Sequence, residues 1–302
     1  MHPTKQKIYG VAFNNYRYLW LAVSLWVIFP LHAITHQLSV CAIFQNEAPY
    51  LKEWIVFHQL VGIEHFYLYN HGSIDHYKEV LQPYVASGCL EWVEVSEAAT
   101  TIDQFNALQV RCYNDCLARS RGVSQWVAFL DVDEYLMPMQ TISLIPVLNE
   151  FKEFGGVCVN WLMFGTSGIK KLAPHQLLTE RLIRCSSSCY PANMHVKSIV
   201  QPHYTSHFEN PHHAIFLKNY YQVNTDKIPF EGRFSPYIRT NRLRINHYWT
   251  KDEDFFYKVK IPRQKQWGGT PHVAHLLQQL NAQQDLHISR FVPSLKKILH
   301  SK

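Results

Sequence analysis

From residue 38 onward the chain alternates short, wholly apolar runs with stretches whose apolar residues recur every three or four positions. Residues 38–44, LSVCAIF, lack the polar alternation of a strand with one wet face. They read as a strand buried on both sides, as in parallel sheets. Pro49 suits the first turn of a helix, and Leu51, Trp54, Ile55 and His58 follow at helical spacing until Gly62. Residues 63–69 predict a second strand, and Asn70, His71, Gly72 and Ser73 turn out of it. Asp75 is placed to cap a helix whose apolar face is Tyr77, Val80, Leu81 and Tyr84. A third strand over 89–95, a long helix over 102–120 and a fourth strand over 126–130 complete the run. Strand and helix in strict alternation predict an α/β fold, with a mainly parallel central sheet wound by right-handed crossovers.

Ligand-facing loops in such a sheet gather at the carboxyl ends of the strands. Three polar exits qualify: 45–47, 70–73 and 131–134. The last follows the apolar run and presents Asp131, Asp133 and Glu134. In an extended strand, residues two apart point the same way, so Asp131 and Asp133 are expected to share a face. Buried carboxylates need a cation or strong donors. Oxygen-only ligands suit Mg²⁺ or Mn²⁺ held with substrate phosphates. The bland alternative is that these acids cap the next helix or meet surface lysines.

Beyond a helix near 142–151, Gly155 and Gly156 open an apolar run to Gly165, and polar residues 166–168 follow. Residues 179–185 and 196–201 read as strands of a less regular region. His195, His203, His207, His212 and His213 cluster there without needing to share a site. A helix is expected over 252–260, capped by Asp252. From Ala274 on, helical spacing carrying Lys296 and Lys297 fits either a solvated helix or a basic segment on a membrane surface.

Ahead of all this, Lys5, Lys7 and Arg17 precede an uncharged run over 18–34. A spanning helix needs about 20 apolar residues, so the run is short. It reads as a brief signal-anchor, a membrane-surface helix or a helix packed on the main domain, with attachment the preferred reading. The positive-inside rule would put the N-terminus in the cytoplasm. That suits a single-pass Golgi enzyme in a eukaryote. In a bacterium, protein of this design is expected in the cytoplasm or on the cytoplasmic membrane face. The domains expected are therefore 1–37, 38–260 and a helical tail over 261–302.

Composition narrows the class. Across 302 residues, 47% are hydrophobic and 14% aromatic, which excludes a disordered chain. The net charge of +6 comes from scattered Lys and Arg. That fits an anionic ligand or a membrane surface, and no nucleic-acid signature is present. Seven cysteines, an odd number in apolar surroundings, read as reduced core thiols.

Four blocks then carry a resemblance: residues 38–70, FLDVDEYLMP, GGVCVNWLMFGTSG and RINHYWTK. In this order they resemble glycosyltransferase family 92 and its bacterial relatives, from about residue 38 to 260. The resemblance implies a GT-A type nucleotide-sugar-binding fold. It implies transfer of a sugar from a nucleotide-sugar donor to a glycan, lipid-linked or protein-linked acceptor, with a divalent metal at Asp131 and Asp133. By the same resemblance Asn46 and Glu47 form the donor-binding first loop. Tyr113 and Asn114 lie on the helix flanking the nucleotide, and His247 comes from the block that reaches back to the metal. Asn70 departs from the family, whose members often carry an acid there for the nucleotide base; an amide can still pair with a base edge.

Direct displacement at the anomeric carbon inverts it and needs one general base. Glu180 is the expected base, with Glu209 and Glu231 as rivals, and Asp133 is expected to be essential to catalysis. Two other classes remain compatible with the residues. One is an Mg²⁺-dependent nucleotidyl- or phosphotransferase, although no Walker-type phosphate loop is present. The other is a non-catalytic sugar- or nucleotide-binding module on the same scaffold.

Overall fold

In the computed structural model, the described residues are 34–269 and 272–300, and all belong to one compact unit. The run at 18–34 lies outside them but for its last residue. Among the described residues, no helix is long and apolar enough to cross a membrane.

The expected alternation is present: β1 (His36–Phe44), α1 (Ala48–Leu60), β2 (His65–Asn70), α2 (Tyr77–Ala86), β3 (Leu90–Glu94), α3 (Ile102–Ser120) and β4 (Ser124–Phe129). There follow β5 (Glu134–Pro138), α4 (Ile145–Asn149), β6 (Gly156–Met163), α5 (Leu178–Arg181), β7 (Arg184–Cys185), β8 (Val196–Val200), β9 (Thr205–Asn210), β10 (His213–Phe216), β11 (Gln222–Val223) and β12 (Leu243–His247). Nine of these strands form one sheet in the order β3-β2-β1-β4-β8-β6-β12-β5, with β11 beside the start of β6. Only β8 and β5 run against the rest. Because they are reversed, their first residues lie at the edge where the other strands end.

Helix α1 seals the free edge of β5. Trp54 Nε1 donates to the Glu134 carbonyl at 2.8 Å. His58 Nδ1 pairs with the Trp54 carbonyl, so Nε2 is left as an acceptor for the Leu136 N–H at 3.2 Å. An edge strand otherwise leaves such groups unpaired. Burial holds the His58 imidazole down to about 3, as a neutral ring.

Several expectations shift. Asp75 does not cap α2; its carboxylate accepts from the Ala48 N–H at 2.8 Å and so serves the first turn of α1. The stretch 179–185 opens as the end of α5 and is strand only at β7, because Glu53 accepts both the Leu178 and Thr179 N–H groups at the start of that helix. Gly155 and Gly156 let the Phe216 ring approach closely: a Cβ would fall 2.4 and 2.9 Å from it.

The chain has no break at 260. Asp252 caps a helical run in which α6 (Glu253–Phe255) widens to a π-turn over Phe256–Lys260 and continues as α7 (Ile261–Gln266). Beyond it come α8 (Val273–Leu280), β13 (Gln283–Gln284), which pairs with β7, and α9 (Val292–His300). Val292 and Leu295 of α9 are buried in the main core, which makes the tail part of the domain.

His58 makes a testable point. His58→Leu is expected to strand the Leu136 N–H and cost about 2 kcal/mol of unfolding free energy. The wild-type ring stays neutral when folded but takes a proton at about 6.5 when unfolded. Its contribution is therefore intact above pH 6.5 and is lost, by about 1.4 kcal/mol per unit, as pH falls toward 3. Denaturant titrations between these limits should show the variant's stability falling less steeply, by one proton.

Candidate functional site

A cavity of about 850 Å³ opens at the carboxyl edge of the sheet. Strand ends supply its floor: Gln45 and Glu47 after β1, His71 after β2, Asp131 and Asp133 after β4, Trp161 in β6, and His247 closing β12. The reversed β8 brings Lys197 to the same edge, with His195 just before it. Helix α3 adds Ile102, Phe105, Asn106 and Gln109, one face of a helix at the three- and four-residue spacing. Opposite stand Lys260, Arg263 and Trp267.

Asp131 and Asp133 both line this cavity but do not share a direction, contrary to expectation. Strand β4 ends at Phe129, and the chain turns through Val132: Glu134 N–H reaches the Asp131 carbonyl, and the Glu134 carboxylate accepts the Asp131 N–H. The turn aims the two aspartates apart. Asp131 accepts from Gln109 at 2.6 Å and pairs with Lys197 at 3.0 Å. Asp133 pairs through Oδ2 with Lys260 at 2.7 Å, and its Oδ1 lies 3.3 Å from His247 Nε2.

Charge dominates this edge. Burial works against ionisation of Asp133, but Lys260, His247 and Lys251 outweigh it and hold the carboxyl well below its usual range. Lys197 is 1% exposed; burial works against its charge, and Asp131 with Glu134 more than restores it. Glu134 is wholly enclosed, and burial pushes it up further than Lys197, 3.9 Å away, pulls it down. A second buried pair, Glu47 with Lys251, ties the first loop to the end of β12. Burial pushes the Glu47 carboxyl up and the Lys251 ammonium down, and the Tyr50 and Phe255 rings flank that ammonium at 4.1 Å each. Asn46, next to Glu47, and Lys251 itself both hold left-handed backbone, with φ of 55° and 50°.

The other expected residues fall around the cavity, not in it. Asn46 and Asn70 brace adjoining loops. Asn46 Oδ1 accepts from Ile74, and Asn70 bonds Glu94 and the Ser73 N–H. The Asn70 amide is thus used within the protein, and His71 and Gln45 form the wall there. Tyr113 is fully buried beneath Asp131, with its hydroxyl on Gln109 and the Leu130 carbonyl. Asn114 is rotated off that face and clamps Phe208 of β9 through both backbone groups. Glu180, on α5, pairs with Lys296 of α9 at 2.5 Å and does not line the cavity. Glu209 pairs with His207 and does not line the cavity either.

Of the histidine cluster, His195 and His212 do share the site. His195 stacks on Trp161 at 4.6 Å, and His212 lies 5.6 Å from both rings. Each places Nδ1 on a backbone carbonyl, and burial lowers both, His212 to about 3. The lysines escaped the sequence reading. Their signal was available: Lys197 interrupts the apolar run VKSIV, and a lysine within a buried strand needs an acid partner.

The fit of this site to a divalent metal can be tested on His247. Its Nε2 faces Asp133, while its Nδ1 and the Glu134 Oε1, 3.9 Å apart, are both enclosed and without a hydrogen-bond partner. A ligating histidine is oriented when its second ring N–H donates to such a carboxylate, a bond that 3.9 Å is too long to make. Among the described residues, no three His, Cys, Asp or Glu side chains gather as a metal cage. Asp133 and His247 therefore fit an ion whose remaining ligands come from a bound phosphate and water, and Asp131 is turned to Lys197 instead.

The family profile of glycosyltransferase family 92 matches residues 36–275. The chain belongs to glycosyltransferase family 92. A family 92 protein of Ricinus communis is 26% identical over 239 residues, covering 74% of this chain and 38% of its own. A galactan beta-1,4-galactosyltransferase of Arabidopsis thaliana is 32% identical over 120 residues, covering 37% of this chain and 24% of its own. The chain spans about a third of the length of the curated family 92 relatives it matches, which are plant proteins. Among solved structures, S. aureus TarS aligns over 55% of this chain and 47% of its own, at 14% identity and a TM-score of 0.36.

Removing Lys197 tests the electrostatics of this family 92 site. Lys197→Met leaves Asp131 and the enclosed Glu134 without their cation and is expected to cost about 3 kcal/mol. Thermal or denaturant unfolding reads it; a loss below about 1 kcal/mol would mean that water already neutralises the pair.

Proposed function

We propose that this family 92 protein transfers a hexosyl group from a nucleotide-sugar to an acceptor hydroxyl, in a divalent-metal-dependent, inverting reaction. The observation that carries the reading is the approach of Asp133 Oδ1 and His247 Nε2 on the floor of an open cavity. Asp133 and His247 would hold Mn²⁺ or Mg²⁺. An imidazole favours Mn²⁺, and when bound such an ion supplies Lewis-acid stabilisation to a departing diphosphate.

The chain's own groups do the rest. Lys260 and Arg263 present positive charge where a diphosphate would lie. Trp161, stacked with His195, adds aromatic surface to the cavity lining against which a hexose ring would pack. In the displacement, the acceptor oxygen bonds to the anomeric carbon as the carbon–oxygen bond to the diphosphate breaks. The electron pair leaves on the diphosphate, and the acceptor's proton leaves to a base. Glu180 does not line the cavity and pairs with Lys296, which counts against it as that base. A glycan acceptor is in keeping with the Arabidopsis relative, which is named for galactan. The nucleotidyl- or phosphotransferase and binding-module alternatives lack any comparable support.

The test is release of nucleoside diphosphate from a panel of nucleotide-sugars with Mn²⁺. Asp133→Ala is expected to lower turnover by about a thousandfold. His247→Ala should raise the metal concentration needed, and Glu180→Gln should stay within about twofold of wild type. Full activity of Asp133→Ala in chelator would falsify the metal reading.

We also take the uncharged run at 18–34 as a membrane attachment. Fractionation of the full chain against a form lacking residues 1–37 reads it, and identical solubility of the two overturns it.

A further inference from the structure

Asp133 presents its two oxygens to two different cation positions. Oδ1 faces His247 Nε2, where the reading above places a metal; Oδ2 already holds the Lys260 ammonium at 2.7 Å, with the two side chains 8% and 12% exposed. One carboxylate thus serves both positions. A divalent ion and an ammonium on the same carboxylate repel each other, and in a partly dry site that repulsion is poorly screened.

Lys260 is not locked where it stands. It lies in the π-widened turn Phe256–Lys260, an irregularity that recurs at functional sites. Its stem is long and flexible, and its ammonium lies only 5.6 and 5.9 Å from the Trp249 and Phe255 ring centres, so it remains partnered if it swings. It also lines the cavity beside Arg263, three residues on, whose guanidinium touches Gln45 at 3.5 Å. A diphosphate entering here meets both cations.

We propose that Lys260 is a removable counter-ion: it neutralises Asp133 in the free protein, yields to the divalent ion, and then pairs with the diphosphate that arrives with that ion. It is a positioning residue, acting through Asp133 before binding and on the diphosphate after it. This rests on the metal reading above and adds a coupling to it. Lys260 weakens metal binding to the empty protein and strengthens nucleotide binding to the metal-loaded one. Metal and nucleotide-sugar therefore bind cooperatively, and the empty site does not collect stray divalent ions.

The experiment measures Mn²⁺ alone against the full chain by electron paramagnetic resonance of the free ion, for wild type, Lys260→Gln and Lys260→Arg. Lys260→Gln is expected to bind Mn²⁺ about five- to tenfold more tightly than wild type. Lys260→Arg, which keeps the charge, should stay as weak as wild type. With Mn²⁺ saturating, Lys260→Gln should bind UDP or GDP, whichever the wild type takes, several-fold more weakly. Equal Mn²⁺ affinity in wild type and Lys260→Gln, or tightening by both variants, overturns the counter-ion role while leaving the transferase reading intact. Absence of Mn²⁺ binding in all three, with or without nucleotide, overturns both. Thermal melting of each variant separates these outcomes from misfolding, since a merely structural lysine would move stability and not Mn²⁺ affinity.

Discussion

Five paired residues between β5 and β12 hold the two halves of the site together. The register sets His247 opposite Glu134, and the next step of the ladder puts the Tyr248 N–H on the Asp133 carbonyl at 2.8 Å. A side-chain period of two makes a sheet register unforgiving. A slip of one residue would turn His247 to the other face of the sheet and bring Asn246 to the aspartate. The antiparallel pairing therefore decides whether Asp133 has an imidazole partner at all. Trp54 and His58 bear on function for that reason, though neither touches the cavity: they finish the outer edge of β5 and so keep the ladder where it is.

The second constraint is charge neutrality in a dry place. Asp131, Asp133, Glu134 and Glu47 stand at one sheet edge, and three lysines from later in the chain meet them. Pairs of this kind seldom add much stability over apolar packing, because desolvation offsets most of the attraction. Their value lies in polarity. They hold Asp133 ionised on the cavity floor and keep a lysine beside each acid, including Glu47 and Glu134, whose carboxyls burial pushes up.

The fold up to β4 was legible because backbone burial leaves a periodic trace: apolar runs for strands covered on both faces, three- and four-residue spacing for α1 to α3. The later half was harder, since β7 and β11 are two residues each, too short to show a period of their own. The site was legible where one residue type in one place has few explanations, as with aspartates at a strand end. Asp131 and Asp133 were nevertheless expected to point together, because the turn made by Glu134 on Asp131 is a local hydrogen-bond choice that hydropathy does not record. Glu180 misled for a related reason: its place in the sequence after the polar stretch 166–168 says nothing about where a one-turn helix sends its side chain. The lysines were passed over because a lysine reads as solvated until its partner is known.

The late arrival of those lysines has a consequence for how the protein is made. When β1 to β5 have left the ribosome, their carboxylates exist without any of the cations that neutralise them: Lys197 comes with β8, and Lys251 and Lys260 only after β12. While synthesis continues the first half is without those partners, and β5 is without β12, the strand it pairs with. A shortened product ending before Lys197 would lack all three cations and also β12, the sheet partner of β5, and belongs with the species that chaperones hold and proteases clear.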